Sequence, residues 1–193
     1  MARLVMPVGL LLLLSLSGHA QDRPRIEIFG GFSHSDIQTG GDRIKGNGWH
    51  AAITVNSRQS WLEFVADFSG HYGSLGGAKT VTQVAMAGLR FSSQRGRLMW
   101  FTHSLYGVSF GRPPLIQLEE DINTRQRVWF TFVPGGGGLD VVLHRRIAIR
   151  VLQFDLVFHS QTPDYLQNSP QLDQTSTIQP RLSVGIVLRI GKI

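Results

Sequence analysis

The chain has 193 residues, no cysteine and a formal charge of +6, carried almost wholly by arginine because Lys45, Lys79 and Lys192 are its only lysines. The lack of cysteine excludes disulfides, thiolate metal sites and a lipid-anchored N-terminal cysteine. The positive charge is dispersed along the chain, which argues against a nucleic-acid partner, and the length suits one domain with a sizeable core.

In chain order, the first segment reads as a secretory signal. Arg3 gives a short positive start, Leu4 to Leu16 an apolar run broken by Pro7, Gly9 and Ser15, and Ser17-Gly18-His19-Ala20 an exit at cleavage spacing. The run is too short for the ~20 residues of a spanning helix, so cleavage after Ala20 is expected rather than a signal anchor. Residues 1–20 are then the signal peptide and 21–193 the mature domain. No later apolar run reaches spanning-helix length, so a mature chain that enters a membrane must do so as a closed barrel.

Alternation of apolar with polar or small residues, period two, predicts strands along the rest. Trp49, Ala51, Ile53 and Val55 oppose His50, Ala52, Thr54 and Asn56; Leu62, Phe64, Ala66 and Phe68 oppose Glu63, Val65, Asp67 and Ser69. Leu139, Val141 and Leu143 oppose Gly138, Asp140 and Val142, and Leu152, Phe154, Leu156 and Phe158 oppose Val151, Gln153, Asp155 and His159. The last strand is the clearest, with Leu182, Val184, Ile186, Leu188 and Ile190 against Arg181, Ser183, Gly185, Val187 and Arg189. Less regular strands are expected at 25–32, 82–92 and 98–110. The facing of 98–110 stays open, because His103 interrupts one register and Thr102 with Ser104 the other.

These strands number about eight. The connections alternate: long at 33–47, 73–80, 111–127 and 160–177, short at 57–60, 93–97 and 144–146. An up-and-down antiparallel barrel with both termini on the short-turn side produces this order. The polar faces are built from Gly, Ala, Ser, Thr and isolated charges rather than the Lys and Glu of a watery surface, which suits a crowded interior and puts the apolar face toward lipid. Trp49, Trp61, Trp100, Tyr106, Trp129 and Phe158 lie toward strand ends, where membrane interfaces favour aromatics. The fold expected is all-β, a transmembrane barrel of about eight strands following a signal peptide. A soluble barrel with its apolar face inward is the alternative.

Three segments carry a family resemblance: Gly135-Gly136-Gly137-Gly138-Leu139-Asp140, the run 145–150 with Gln153 and Asp155, and Ser183-Val184-Gly185-Ile186-Val187-Leu188-Arg189. Together they resemble the last three strands of the small bacterial outer-membrane β-barrels, the OmpA-like and OmpX-like barrels, and the strand pattern extends the likeness over Arg25 to Ile193. The resemblance implies the outer membrane as location, with outer-membrane lipid and the barrel-assembly machinery as partners. Members usually finish on an aromatic residue; this chain finishes Lys192-Ile193.

On the polar faces, Glu63, Asp67, Arg90, Asp140, Asp155 and Arg181 are the candidate lumen residues. An eight-stranded barrel is only wide enough to be filled by side chains, so a salt-bridged plug is the favoured reading and a proton or ion path the alternative. The glycine run 135–138 lacks the Gly-Lys-Ser/Thr and helix of a phosphate loop; strand bending, or bulky neighbours over bare backbone, is expected. The histidines show no metal-ligand spacing, and neither a metal nor a cofactor is expected. His103-Ser104 and His159-Ser160 are adjacent in sequence, hence on opposite strand faces, which disfavours the nucleophile and base of a lipid-modifying enzyme. The short turns are basic, with Arg58, Arg95, Arg97, His144, Arg145 and Arg146, either as solvated charge or to meet anionic headgroups. Loop 111–127, with Glu119, Glu120 and Asp121, is long enough to meet a surface partner. The function expected is non-enzymatic: structural, adhesive or surface-interacting. The alternatives are a soluble periplasmic carrier of a hydrophobic ligand and a lipid-modifying enzyme.

Overall fold

A computed structural model describes residues 24–39, 42–57, 61–75, 78–112, 127–160 and 177–191. They form β1 (Ile26–Thr39), β2 (Asp42–Asn56), β3 (Leu62–Leu75), β4 (Ala78–Arg95), β5 (Leu98–Arg112), β6 (Arg127–His144), β7 (Ile147–Ser160) and β8 (Thr177–Ile190). Each strand pairs antiparallel with its sequence neighbours, and β1 pairs with β8, closing the barrel. Closure leaves no free strand edge, so the backbone polar groups of the wall bond within the wall. The proposed signal, residues 1–20, lies outside the described residues.

Two expected loops are strand instead. The segments 33–47 and 73–80 look irregular in sequence because both faces are polar, yet β1 pairs with β2 out to Thr39 and Asp42, and β3 with β4 out to Leu75 and Ala78. Outward residues on the first hairpin change from Phe32 and Trp49 to His34, Asp36, Lys45 and Asn47, so the ladder continues after the apolar face has ended. Of the other two long connections, 113–126 and 161–176 lie outside the described residues. The short turns expected at 93–97 and 144–146 are present as two-residue turns at 96–97 and 145–146, with Gly96 at φ +61° in the conformation a tight hairpin demands, while 58–60 of the turn expected at 57–60 lie outside the described residues.

The barrel is apolar outside and polar within. Ile53, Phe64, Phe68, Val184, Ile186 and Leu188 are 42–56% exposed, whereas Glu63, Asp67, Arg90, Asp140, Asp155 and Arg181 are at most 2% exposed. This is the reverse of a soluble carrier barrel and the arrangement of a membrane-spanning one. Along β3 the outward face runs from Leu62 to Tyr72, which at the usual rise and tilt spans about 25 Å, the height of the apolar band in such barrels. Exposed aromatics flank it. Trp61, stacked on Phe91, and Trp100 mark the short-turn end, while Phe32, Trp49 and Tyr72 mark the other. Tyr106, Phe132 and Phe158 stack in a row across β5, β6 and β7. The side chain of Trp129 lies outside the described residues.

Facing gives a direct test. Arginine in place of Val184 or Ile186 puts a guanidinium into the apolar band, at a cost of about 2–4 kcal/mol near its middle. Both variants are expected to reach the membrane fraction as folded barrel at a reduced level, read from the heat-sensitive band on a gel. Unchanged assembly of both would reverse the assignment of inside and outside.

The strand 98–110 resolves on the same principle. Met99, Phe101, His103, Leu105 and Ser109 are buried and point inward, and Leu98, Trp100, Thr102 and Tyr106 are exposed. Sequence could not assign it because polar residues fall on both faces, His103 on an otherwise apolar inward one and Thr102 with Ser104 on the other; of the inward set, Phe101 is what Arg90 and Arg150 stack on.

Candidate functional site

The lumen holds two charged layers. Near the short-turn end, Arg90 meets three carboxylates: Nη1 donates to Glu27 Oε2 at 3.1 Å, Nε lies 3.1 Å from Glu63 Oε2, and Nη2 lies 3.8 Å from Asp140 Oδ2. Arg150 grips Asp140 with two prongs, Nε to Oδ1 at 2.8 Å and Nη2 to Oδ2 at 3.1 Å. Arg189 donates to Glu27 Oε1 at 3.3 Å, and the Ser92 hydroxyl donates to Glu63. Two rings pack between these cations. The Arg90 guanidinium lies 4.2 Å from the Phe101 centroid, and that of Arg150 lies 4.3 Å from both Phe29 and Phe101. Stacking on an aromatic face suits the weakly hydrated guanidinium better than an ammonium, and the described cations of this layer are all arginines.

The second layer centres on Arg181. Its Nη1 donates to Asp67 Oδ1 at 2.9 Å, and its Nη2 donates to Asp155 Oδ2 at 2.8 Å, so one guanidinium bridges β3 and β7 across the interior. Each carboxylate also takes a histidine, His50 Nε2 at 2.6 Å from Asp67 and His103 Nε2 at 2.7 Å from Asp155. Gln153 joins the layers, accepting from Arg150 Nη1 at 2.7 Å and donating to Asp155 Oδ2 at 2.8 Å. Toward the loop end the network continues as hydroxyls and imidazoles: His50 to Ser183, Ser183 to Ser33, and Ser33 to His71. A separate group joins Ser109, Thr131, His159 and Gln179.

All six residues singled out in the sequence therefore lie in the lumen, Asp67, Asp155 and Arg181 in one layer and Glu63, Arg90 and Asp140 in the other. Glu27, His50, His103, Arg150, Gln153 and Arg189 complete the network and were missed as site residues. His50 and Arg189 sit on faces already read as polar, so extending the alternation would have found them. Arg150 was hidden by an irregularity: the register of β7 against β8 shifts between Arg150 and Gln153, turning Val151 outward with Leu152 and Arg150 inward. The expected placement of Val151 beside Gln153 and Asp155 is thereby corrected.

Glycines make room for the plug. A Cβ on Gly136 would overlap Asp155 Oδ1 and crowd His103 Nε2, and one on Gly138 would run into the Phe101 ring. The glycine run thus lies in β6 as wall that large lumen groups press against. The ladder is broken beside it, where the pairing of β6 with β7 shifts between Phe132 and Gly136. The hydroxyls of Thr102 and Ser104 donate to the carbonyls of Gly136 and Val133 around this break. Ser104 is therefore engaged with the wall while His103 is in the lumen, on opposite faces as the sequence predicts; the side chain of Ser160 lies outside the described residues.

Chemically, Ser183, His50 and Asp67 are arranged like a nucleophile, a base and an orienting acid, with Ser183 Oγ 2.9 Å from His50 Nδ1. Geometry alone does not make it reactive. Ser183 is 1% exposed and hydrogen-bonded to Ser33, so an acyl group has no approach to its oxygen. What the set does is fix strand positions. Breaking a buried ion pair by removing one partner costs far more than forming the pair contributes, so each member of the network depends on the others. Among the described residues no group of three or more His, Asp or Glu is placed to hold a metal.

No protein-family model matches the chain, and no curated protein matches it in sequence. Solved structures do match in fold. Neisserial surface protein A superposes with a TM-score of 0.64 at 8% identity, over 86% of this chain and 97% of that one. The attachment invasion locus protein Ail of Yersinia pestis gives 0.49 at 14% identity, over 86% and 99%, and the outer-membrane protein OprG of Pseudomonas aeruginosa 0.46 at 15%, over 90% and 98%. The first of these likenesses, with the closed ladder and outward apolar face, shows the fold: that of the small bacterial outer-membrane β-barrels.

Proposed function

We propose that this protein is exported through residues 1–20, resides in the bacterial outer membrane, and has a non-enzymatic surface role, structural or adhesive, performed by segments 113–126 and 161–176. The observation that carries the reading is the charged plug: Arg90, Arg150 and Arg181, with the carboxylates they hold, fill the interior across its width. A barrel of this size, filled in this way, is a support rather than a conduit, and the variable chemistry is left to what the support displays. A carrier of hydrophobic ligands would need an apolar interior, where this one has paired ions.

The test is gel mobility of membrane-fraction protein in detergent, with and without boiling, beside trypsin treatment of intact cells. A closed barrel resists unravelling, so a faster band that shifts on boiling is expected, together with cleavage after Arg125, the tryptic site within 113–126, and protection of the barrel wall. Native protein released by osmotic shock and showing no shift would overturn the reading.

A further inference from the structure

We infer that the short-turn end of the barrel is a binding surface for the phosphates of anionic phospholipid in the adjoining leaflet. Arg25, Arg95, Arg97, Arg145 and Arg146 are all exposed at this end, and the acids nearest them, Glu27, Glu63 and Asp140, are buried and committed to the lumen arginines. The described rim thus presents cations with no exposed carboxylate among them. Its backbone is held in place. The Arg97 carbonyl accepts from Val142 N at 2.7 Å, the Arg146 carbonyl from Arg189 N at 2.9 Å, and Arg25 N donates to Ile190 O at 2.9 Å. The described turns at 96–97 and 145–146 are each bonded to a neighbouring strand, so the backbone that carries these arginines is set around the rim.

Height selects the partner. Trp100 lies two residues from Leu98, which pairs with Arg95, and indoles sit at the border between acyl chains and headgroups. At about 3.3 Å per residue the turn guanidiniums fall within about 10 Å of that border, in the headgroup layer. Guanidinium matches a phosphate with paired hydrogen bonds, and among the described residues the exposed Lys and Arg side chains at this end are all arginines. A partner well clear of the bilayer would need longer arms than two-residue turns provide.

This inference rests on the membrane-barrel reading, and its test separates the two. Protein refolded in zwitterionic detergent is mixed with equal amounts of phosphatidylglycerol and phosphatidylcholine, and retained lipid is counted by native mass spectrometry. The parent is expected to retain phosphatidylglycerol several-fold over phosphatidylcholine. The variant carrying R95Q, R97Q, R145Q and R146Q should fall to parity while keeping its heat-dependent mobility. The two-site variants, R95Q with R97Q and R145Q with R146Q, should each lose part of the preference and provide the reading if the fourfold variant does not fold. Lipid parity in a heat-shifting parent, or a preference untouched in every folded variant, would overturn the rim assignment alone. Tighter binding of soluble anionic peptidoglycan fragments than of phosphatidylglycerol would overturn it in favour of the cell wall. A parent without a heat shift would overturn the barrel reading instead.

Discussion

Replacing Arg181 by methionine is expected to lower the unfolding free energy of the barrel by about 3–5 kcal/mol, the usual cost of stripping one partner from a buried ion pair. The side chain is fully enclosed, and its loss leaves Asp67 and Asp155 facing each other with His50, His103 and the Gln153 amide to answer them and no guanidinium. Urea titration in detergent micelles, followed by tryptophan emission, reads the change as a lower midpoint. A triple variant that adds Asp67→Asn and Asp155→Asn should recover much of the loss, because the neutral amides still hydrogen-bond and no uncompensated charge remains. An unchanged midpoint for Arg181→Met would mean the layer is hydrated and loosely held, which would reopen the lumen as a path.

Substituting valine for Gly31 should stop the barrel from closing. Gly31 lies opposite Gly185 where β1 meets β8, and a Cβ there would overlap the Val184 carbonyl and press on the Gly185 Cα. Both neighbours are backbone, and the Phe29 ring covers the spot from inside, so no flexible side chain is available to yield. Heat-dependent mobility should disappear and the protein should fail to accumulate in the membrane fraction. Gly30→Ala is the control: one residue away, it faces outward into open space and should change stability by no more than about 0.5 kcal/mol. Normal closure of Gly31→Val would show that the seam has slack the present geometry denies.

The barrel was legible in the sequence because its physics is repetitive. Each strand states which face is apolar, and β8 does so almost without exception from Leu182 to Ile190. Pairing charges across the lumen was legible as types and positions but not as partners: nothing near Arg181 announces that its carboxylates come from residues 67 and 155. Three local features defeated the reading. Polar residues on both faces disguised the outer parts of β1 to β4 as loops. A register shift concealed Arg150. In β5, inward Met99, Phe101 and Leu105 mimicked a lipid face, and their purpose becomes clear only once the guanidiniums stacked on Phe101 are seen.

The placement of the lumen arginines also ties charge balance to closure. β8 supplies two of them, Arg181 and Arg189, and their acids, Asp67, Asp155 and Glu27, wait on strands made earlier. Without the final strand Asp67 and Asp155 lack their guanidinium, whereas Glu27 keeps Arg90 of β4, and burying the first two unpaired would be costly. A sheet lacking β8 would carry two inward carboxylates that only the closing strand supplies with a guanidinium. The seam between β1 and β8 is thus an electrical closure as well as a mechanical one: the strand that completes the circle also balances the charge inside it.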